Sequence, residues 1–113
     1  MALPRRSRGL KSAILTGSVP VPPEVIVHVP GPLRDYCGGK ARLGIRAGTV
    51  LEVLDQLERT QPALHRNIRD EAGNVRRHLN VFVNSDHIRD RDGLATALAE
   101  GDVVTFLPAV SGG

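Results

Sequence analysis

Apolar side chains recur at every second position in two separate stretches of this chain, residues 24–29 and 79–83. In the first stretch Val25, Val27 and Val29 fall on one side, and the residues between them fall on the other. A period of two predicts a β-strand with one buried face. Both stretches therefore require a sheet that is covered on one side by another element.

Between these two stretches the apolar spacing becomes that of a helix. Thr49 stands three residues before Glu52, which is the spacing of a capping box at a helix start. The apolar stripe of this segment consists of Val50, Val53, Leu54 and Leu57. Its period predicts a helix that packs across the sheet. Pro62 is expected to end this helix or to begin a second short one, and a further short helical turn is predicted at 94–99.

Turn residues place the remaining strands. Gly38-Gly39 is expected to lead into a second strand at 41–46, after an irregular or edge-like segment at 30–36. A Gly101-Asp102 turn introduces a last strand at 103–107. The order of elements predicts an α+β fold, in which one main helix crosses a mixed sheet of four or five strands. This is the order of a β-grasp (ubiquitin-like) domain.

Size and charge limit the function of the chain. Its 113 residues suit one domain, and an aromatic content of 3% predicts an aliphatic core without a stacking platform for bases. The net charge of +3 arises in residues 1–22, because the rest holds 11 basic and 12 acidic side chains. We expect a disordered basic extension at 1–22, a folded domain at 23–108, a flexible tail at 109–113 and no nucleic-acid partner.

Cysteine and histidine usage gives no sign of a metal or redox site. The single cysteine, Cys37, excludes an internal disulfide and suits a reducing compartment. No apolar run approaches the ~20 residues of a membrane span, so a soluble, cytoplasmic protein without a membrane partner is expected. Structural or surface roles are predicted for Cys37 and for His28, His65, His78 and His87.

The dipeptide Gly112-Gly113 is expected to carry the chemistry through a free terminal carboxylate. Glycine has no Cβ, so such an end fits a channel that is too narrow for other residues. Six peptide steps separate Leu107 from Gly113, and the arm is therefore expected to reach about 20 Å beyond the last strand. The sequence contains no GxxxxGK[ST] phosphate loop, so we expect it to bind no cofactor itself.

Segments near the end of the chain resemble those of a known family. They are Leu94-Ala95-Thr96-Ala97-Leu98, Gly101-Asp102-Val103-Val104 and Leu107-Pro108-Ala109-Val110-Ser111-Gly112-Gly113. From about Glu24 onward the chain resembles the ubiquitin-like prokaryotic sulfur carriers, the superfamily of the molybdopterin-synthase small subunit and the thiamine sulfur carrier. It is most similar to the actinobacterial sulfur carrier of cysteine biosynthesis. The basic extension at 1–22 departs from the compact start of that family.

This resemblance implies a cycle of activation and transfer. An E1-like adenylyltransferase/sulfurtransferase would use ATP to adenylate the carboxylate of Gly113, and a sulfur donor would displace AMP to leave a thiocarboxylate. The acceptor would be a serine activated on a pyridoxal-phosphate cysteine synthase, or the molybdopterin-synthase large subunit. A deubiquitinase-type metallopeptidase would trim the added cysteine. ATP and pyridoxal phosphate belong to the partners, so the chain would be a co-substrate and not an enzyme.

Partner enzymes are expected to dock on the sheet face beside the arm. Phe82 and Phe106 are candidate exposed anchors there, with plain core packing as an equally weighted alternative. The other predicted contact residues are Leu107, Pro108, Ala109, Val110 and Ser111. Gly112 is expected to thread the channel. Two other functions stay open: a β-grasp binding module with a frayed Gly-Gly end, and a ubiquitin-like modifier that is joined to lysines.

Overall fold

The computed structural model describes residues 21–109. Its strands are β1 (Glu24–His28), β2 (Arg42–Arg46), β3 (Leu79–Val83), β4 (Asp86–His87) and β5 (Val103–Pro108). Its α-helices are α1 (Val50–Thr60) and α2 (Pro62–Ile68), and short 3-10 helices span Gly31–Cys37, Ile88–Asp90 and Gly93–Ala95. None of the helices in this part of the chain has the length and apolar character that crossing a membrane requires.

The strands form one mixed sheet in the order β2-β1-β5-β3-β4. β1 pairs antiparallel with β2 and parallel with β5, and β3 pairs antiparallel with both β5 and β4. A parallel neighbour requires a crossover connection, and both α-helices lie between β1 and β5 in the chain. The predicted mixed sheet, its α+β class and its opening hairpin are therefore confirmed.

The core lies between one face of the sheet and the two α-helices. The most buried residues on this face are at most 2% exposed; they are Val25, Val27, Val29, Val81, Val83, Val104 and Phe106. The stripe of α1 is fully buried; it consists of Val50, Val53, Leu54 and Leu57. The alternation in the strands and the helical period in α1 thus predicted both sides of the core correctly.

Side-chain capping fixes the start of α1. The Thr49 hydroxyl accepts a hydrogen bond from the Glu52 amide at 3.2 Å, as predicted. The Glu52 carboxylate accepts from the amide of Gly48 at 2.7 Å rather than from that of Thr49, so the reciprocal bond falls one residue earlier than in a standard capping box. Pro62 is confirmed as a boundary, because α1 ends at Thr60 and α2 begins at Pro62.

Two connecting segments differ from their predictions. Most of the segment predicted to be irregular at 30–36 belongs to the 3-10 helix Gly31–Cys37. Its proline lies in the first turn, where the backbone amide that proline lacks would have no partner within the helix. The helical turn predicted at 94–99 is reduced to Gly93–Ala95. There the Thr96 hydroxyl donates to the Gly93 carbonyl at 2.6 Å and accepts from the Asp92 amide at 3.1 Å, so a side chain competes with helix extension.

Candidate functional site

β5 begins at a turn that side chains hold closed. The Asn84 side chain donates to the Asp102 carboxylate at 3.1 Å and accepts from the Val103 amide at 3.0 Å. The other Asp102 oxygen accepts from the Ala99 amide at 2.8 Å. Asn84 adopts a φ of 56°, a left-handed conformation that asparagine tolerates better than most residues. The prediction that Asp102 shapes its turn is confirmed, and these bonds position the start of β5.

The far end of β5 remains attached to β3 as far as Ala109. Leu107 is paired with Asn80 and Pro108 with Leu79. The Ala109 amide then donates to the His78 carbonyl at 2.6 Å, although the sequence assigned Ala109 to the tail. A backbone bond of this kind leaves no trace in side-chain identity, which is why sequence reasoning missed it.

After Thr105, β5 is paired with β3 along one edge only. No residue of β1 lies opposite its other edge. The register between β1 and β5 ends at His28 and Thr105. The Ala109 amide points to β3, and amides alternate in direction along a strand. The backbone nitrogen of Pro108 therefore faces away from β3. A proline at this position removes no hydrogen bond between β5 and β3.

The predicted reactive segment lies outside the described residues. The reactive dipeptide Gly112-Gly113 and the predicted contact residues Val110 and Ser111 all fall there. Since Ala109 makes the last described bond to the sheet, four residues remain, and covalent geometry limits their reach to about 14 Å. This reach is shorter than the distance predicted from Leu107, because two more residues are held by β3.

A mixed apolar and polar patch lies beside the end of β5, on the sheet face opposite the core. We call it the tail-side patch, and it consists of Asn80, Phe82, His87 and Leu107. Leu107 is 46% exposed and Phe82 is half-buried. The rings of Phe82 and His87 meet edge to face with centroids 5.1 Å apart. The patch therefore offers two apolar side chains within a frame that can hydrogen-bond.

Hydrogen bonds hold the imidazole of His87 in this patch. Its Nδ1 accepts from the Arg89 amide at 3.1 Å, which leaves the proton of a neutral ring on Nε2. Nε2 lies 3.0 Å from the Asn80 side-chain oxygen and donates to it in this tautomer. The ring is thus fixed in the orientation that packs against Phe82.

The expectation that Phe106 is an exposed anchor is wrong. Its side chain is 1% exposed and belongs to the core. Leu107, its neighbour in β5, faces the opposite side, because successive side chains of a strand alternate. The alternative of plain core packing applies to Phe106, whereas Phe82 lies on the open face as an anchor requires.

A second polar cluster joins the two helices on the other side of the sheet. Arg69 Nε donates to His65 Nε2 at 2.9 Å. The same guanidinium contacts Asp55 at 3.2 Å and Glu58 at 3.4 Å. Burial and, second, the charge of Arg69 hold the pKa of His65 below its ordinary value of 6.5. This cluster ties α2 to α1, which is a structural role for His65.

The described residues contain no group of three histidine, cysteine or acidic side chains that could hold a metal ion. Cys37 is 4% exposed, and its Sγ lies 3.3 Å from the Lys40 carbonyl. Its thiol therefore faces the backbone of its own turn. Within residues 21–109, the end of β5 and the tail-side patch remain the arrangement best placed to present a chemical group to a partner.

Comparisons with known proteins show which family and which relatives this chain resembles. A family model described as the ThiS family matches residues 27–113. The sulfur carrier protein CysO of Mycobacterium tuberculosis is 37% identical over 91 residues, which cover 79% of this chain and 98% of that protein. Small archaeal modifier protein 3 of Haloferax volcanii is 40% identical over 65 residues, which cover 58% of this chain and 70% of that protein.

Solved structures match the fold over the same region. The crystal structure of Mycobacterium tuberculosis CysO superimposes with a TM-score of 0.70 and 36% identity, covering 76% of this chain and 99% of that one. One chain of the BexX/CysO complex of Amycolatopsis orientalis gives a TM-score of 0.67 and 37% identity, covering 79% of this chain and 99% of that one. These ubiquitin-like neighbours confirm the β-grasp prediction.

Proposed function

Since the chain belongs to the ThiS family, we propose that it is a sulfur carrier protein whose Gly113 carboxylate is converted to a thiocarboxylate. The observation that carries this proposal is the 37% identity to a protein named as a sulfur carrier, over 98% of that protein's length. The matched region of the family model also includes Gly112 and Gly113. The chain acts as a co-substrate in this proposal, and the catalytic groups belong to its partners.

The chemistry requires activation before sulfur transfer. A carboxylate is a poor electrophile because oxide would have to leave, so the carboxylate of Gly113 first attacks the α-phosphorus of ATP and releases pyrophosphate. Sulfide (HS⁻) then adds to the acyl carbon of the adenylate, and AMP departs with the bonding electrons. The product is a thiocarboxylate, a better nucleophile than the original carboxylate. An E1-like adenylyltransferase/sulfurtransferase is the partner that these steps demand.

The geometry of β5 suits delivery of an arm into another protein's active site. The hydrogen bond between the side chains of Asn84 and Asp102 fixes the start of β5. The bond from the Ala109 amide to the His78 carbonyl fixes its end. In this proposal the flexible tail is the four residues after Ala109, and ordering each of them on binding costs about 1–2 kcal/mol for the backbone. Part of the contact energy is used in this ordering, so transient complexes with several enzymes follow.

The tail-side patch is the proposed docking surface. Leu107 and Phe82 are diagonal neighbours across β3 and β5, about 7–8 Å apart at their Cα atoms. Both lie on the face of the sheet that the helices leave open, beside the last held residue of β5. A partner that buries Leu107 would thus be aligned with the entry point of the arm. The other proposed contacts are Pro108, Ala109, Val110 and Ser111.

Cysteine biosynthesis is the pathway that we propose for the sulfur. The support is the name of the CysO relative and its identity to this chain. A pyridoxal-phosphate cysteine synthase would accept the sulfur, a deubiquitinase-type metallopeptidase would release the product, and the reactions would take place in the cytoplasm. The molybdopterin-synthase large subunit is the alternative acceptor within the same superfamily.

A second candidate function is protein modification, which the 40% identity to a small archaeal modifier protein favours. Activation would be the same, but a lysine amine of a target protein would attack the acyl group and form an isopeptide bond. The two functions therefore differ in the attacking atom alone.

An azide probe distinguishes these functions. Protein is incubated with ATP, sulfide and extract of its host, and an electron-poor sulfonyl azide, which reacts with thiocarboxylates, is then added. The carrier function predicts labelling of the full chain and of a Cys37→Ser variant, and none of a variant that lacks Gly112-Gly113. Lysine conjugates without labelling would support the modifier. Equal labelling of the deletion variant would contradict the assignment to Gly113.

A further inference from the structure

The outer edge of β2 has backbone groups without a hydrogen-bond partner among residues 21–109. β2 lies at one margin of the sheet, next to β1. Ala47 donates to the Pro23 carbonyl at 3.0 Å, so the odd-numbered residues of this segment pair with β1. The outward-facing amides and carbonyls therefore belong to Arg42, Gly44 and Arg46. A margin of this kind can accept another strand.

A groove runs along this edge. Its volume is about 450 Å³, and it separates β2 from the C-terminal turn of α1. Leu43 on β2 and Gln56 on α1 lie on its walls, together with Thr60 and Gln61. A strand that paired with β2 would place every second side chain over this groove and the intervening side chains on the open face of the sheet.

The edge carries an excess of positive charge. Lys40, Arg42 and Arg46 all line the groove, and none forms an ion pair within 4.0 Å in the described part of the chain. Arg46 donates instead to the Pro22 carbonyl at 3.0 Å. Glu24, the cross-strand neighbour of Arg46, provides one negative charge beside these three positive charges. An incoming segment at this edge would meet a net positive surface.

We propose that the outer edge of β2 binds an extended acidic segment of a partner protein as an additional strand. Acidic side chains would lie beside Arg42 and Arg46, and small apolar side chains would lie over Leu43. A second copy of this chain is disfavoured, because an antiparallel β2 pair would set arginines opposite one another. The strand β1 separates this edge from β5, a spacing of about 10 Å. The edge can therefore be occupied while the arm is engaged elsewhere, and the proposal does not depend on the carrier function.

The test uses the full-length protein and a blocked synthetic peptide of about seven residues that alternates glutamate and valine. Binding is measured by amide chemical shifts and by isothermal titration. The shifts are expected at 42–46 and along the groove, with affinity that falls as salt is added. A peptide that alternates lysine and valine serves as the charge control and is expected not to bind.

Gly44 offers a matched pair of variants. Its amide points away from β1, so Gly44→Pro removes one donor from the outer edge and none from the hydrogen bonds to β1. Gly44→Ala adds the same Cβ, 3.3 Å from a Glu24 carboxylate oxygen, and keeps the donor. We expect Gly44→Pro to weaken binding of the acidic peptide about fivefold to tenfold relative to Gly44→Ala.

Charge reversal keeps the proposal testable if Gly44→Pro fails to fold. Both arginines are exposed, so a variant with Arg42→Glu and Arg46→Glu should fold and should lose the acidic peptide. Equal binding of the two peptides, or unchanged binding by the charge-reversed variant, would overturn the proposal and leave the arginines as guards against aggregation. Self-association through β2 in the absence of peptide would overturn it in favour of a second copy.

Discussion

The two phenylalanines of this chain lie on opposite faces of one sheet. Phe106 on β5 is 1% exposed and packs in the core, whereas Phe82 on β3 is half-buried on the open face. The residue type is the same, so the difference in burial comes from the direction in which each side chain leaves its strand and from which face the helices cover. The core side of the sheet provides stability, and the open side is available to partners.

Replacing each phenylalanine by alanine gives the largest contrast. Phe106→Ala should lower the free energy of unfolding by about 3–5 kcal/mol, because it leaves a cavity in a closed core. Phe82→Ala should lower it by about 1 kcal/mol, since that ring lies outside the core on the open face and is only partly buried. Urea unfolding followed by circular dichroism measures both. Equal losses would show that the two faces are not distinct in the way described.

Charge at Leu107 should separate partner binding from stability. Leu107→Asp should slow thiocarboxylate formation by about tenfold, because a carboxylate would face the docking surface of the partner. Leu51 on α1 is 41% exposed, close to the 46% of Leu107, and Leu51→Asp is the matched control. Both variants should unfold at nearly the wild-type urea concentration. Comparable slowing by the two would argue against the tail-side patch as the docking surface.

Loss of the helix cap should affect the core side alone. Thr49→Ala removes the hydroxyl that accepts from the Glu52 amide, which should lower the free energy of unfolding by about 1 kcal/mol. The rate of thiocarboxylate formation should stay at the wild-type value, because α1 lies on the face opposite the patch. A slowed rate with unchanged stability would reverse the roles assigned to the two faces.

Acid should weaken the core side modestly through His65. Burial and the charge of Arg69 lower the pKa of His65 in the folded chain, so the unfolded chain binds the proton more readily. This contribution is therefore complete above the ordinary value of 6.5 and is lost as the pH falls toward the lowered pKa. Unfolding free energies between about pH 7 and pH 5 should fall less steeply for His65→Gln. An equal slope would remove His65 as the cause.

Period and turn chemistry were sufficient to predict most of the fold. The alternation at 24–29 and 79–83, the stripe of α1 and the Gly38-Gly39 turn are local patterns that burial imposes on a sequence. Gly38 and Gly39 adopt φ values of +73° and +81°, as a glycine turn requires. The sequence therefore indicated which elements form and which faces they bury.

The candidate site was less predictable because it depends on pairing between distant strands. Side chains alternate between the two faces of the sheet along β5. This alternation assigns Phe106 to the core only when it is known which face the helices cover. The bond from the Ala109 amide to the His78 carbonyl joins residues 31 positions apart and involves no side chain. The contact of His87 with Phe82 likewise follows from the short β4, whose register no local pattern specified. The tail-side patch thus depends on hydrogen-bonded pairing between strands that are distant in the sequence, and composition does not reveal it.

The most direct test of the carrier function is the intact mass of the protein purified from its own host, with fragmentation of the C-terminal peptide. Replacement of one terminal oxygen by sulfur adds about 16 Da, the same nominal shift as oxidation of a cysteine or methionine, so fragmentation has to locate it. A thiocarboxylate at Gly113 predicts that the added mass lies on this residue and persists in Cys37→Ser. An unmodified carboxylate at Gly113, even after incubation with ATP, sulfide and host extract, would contradict it.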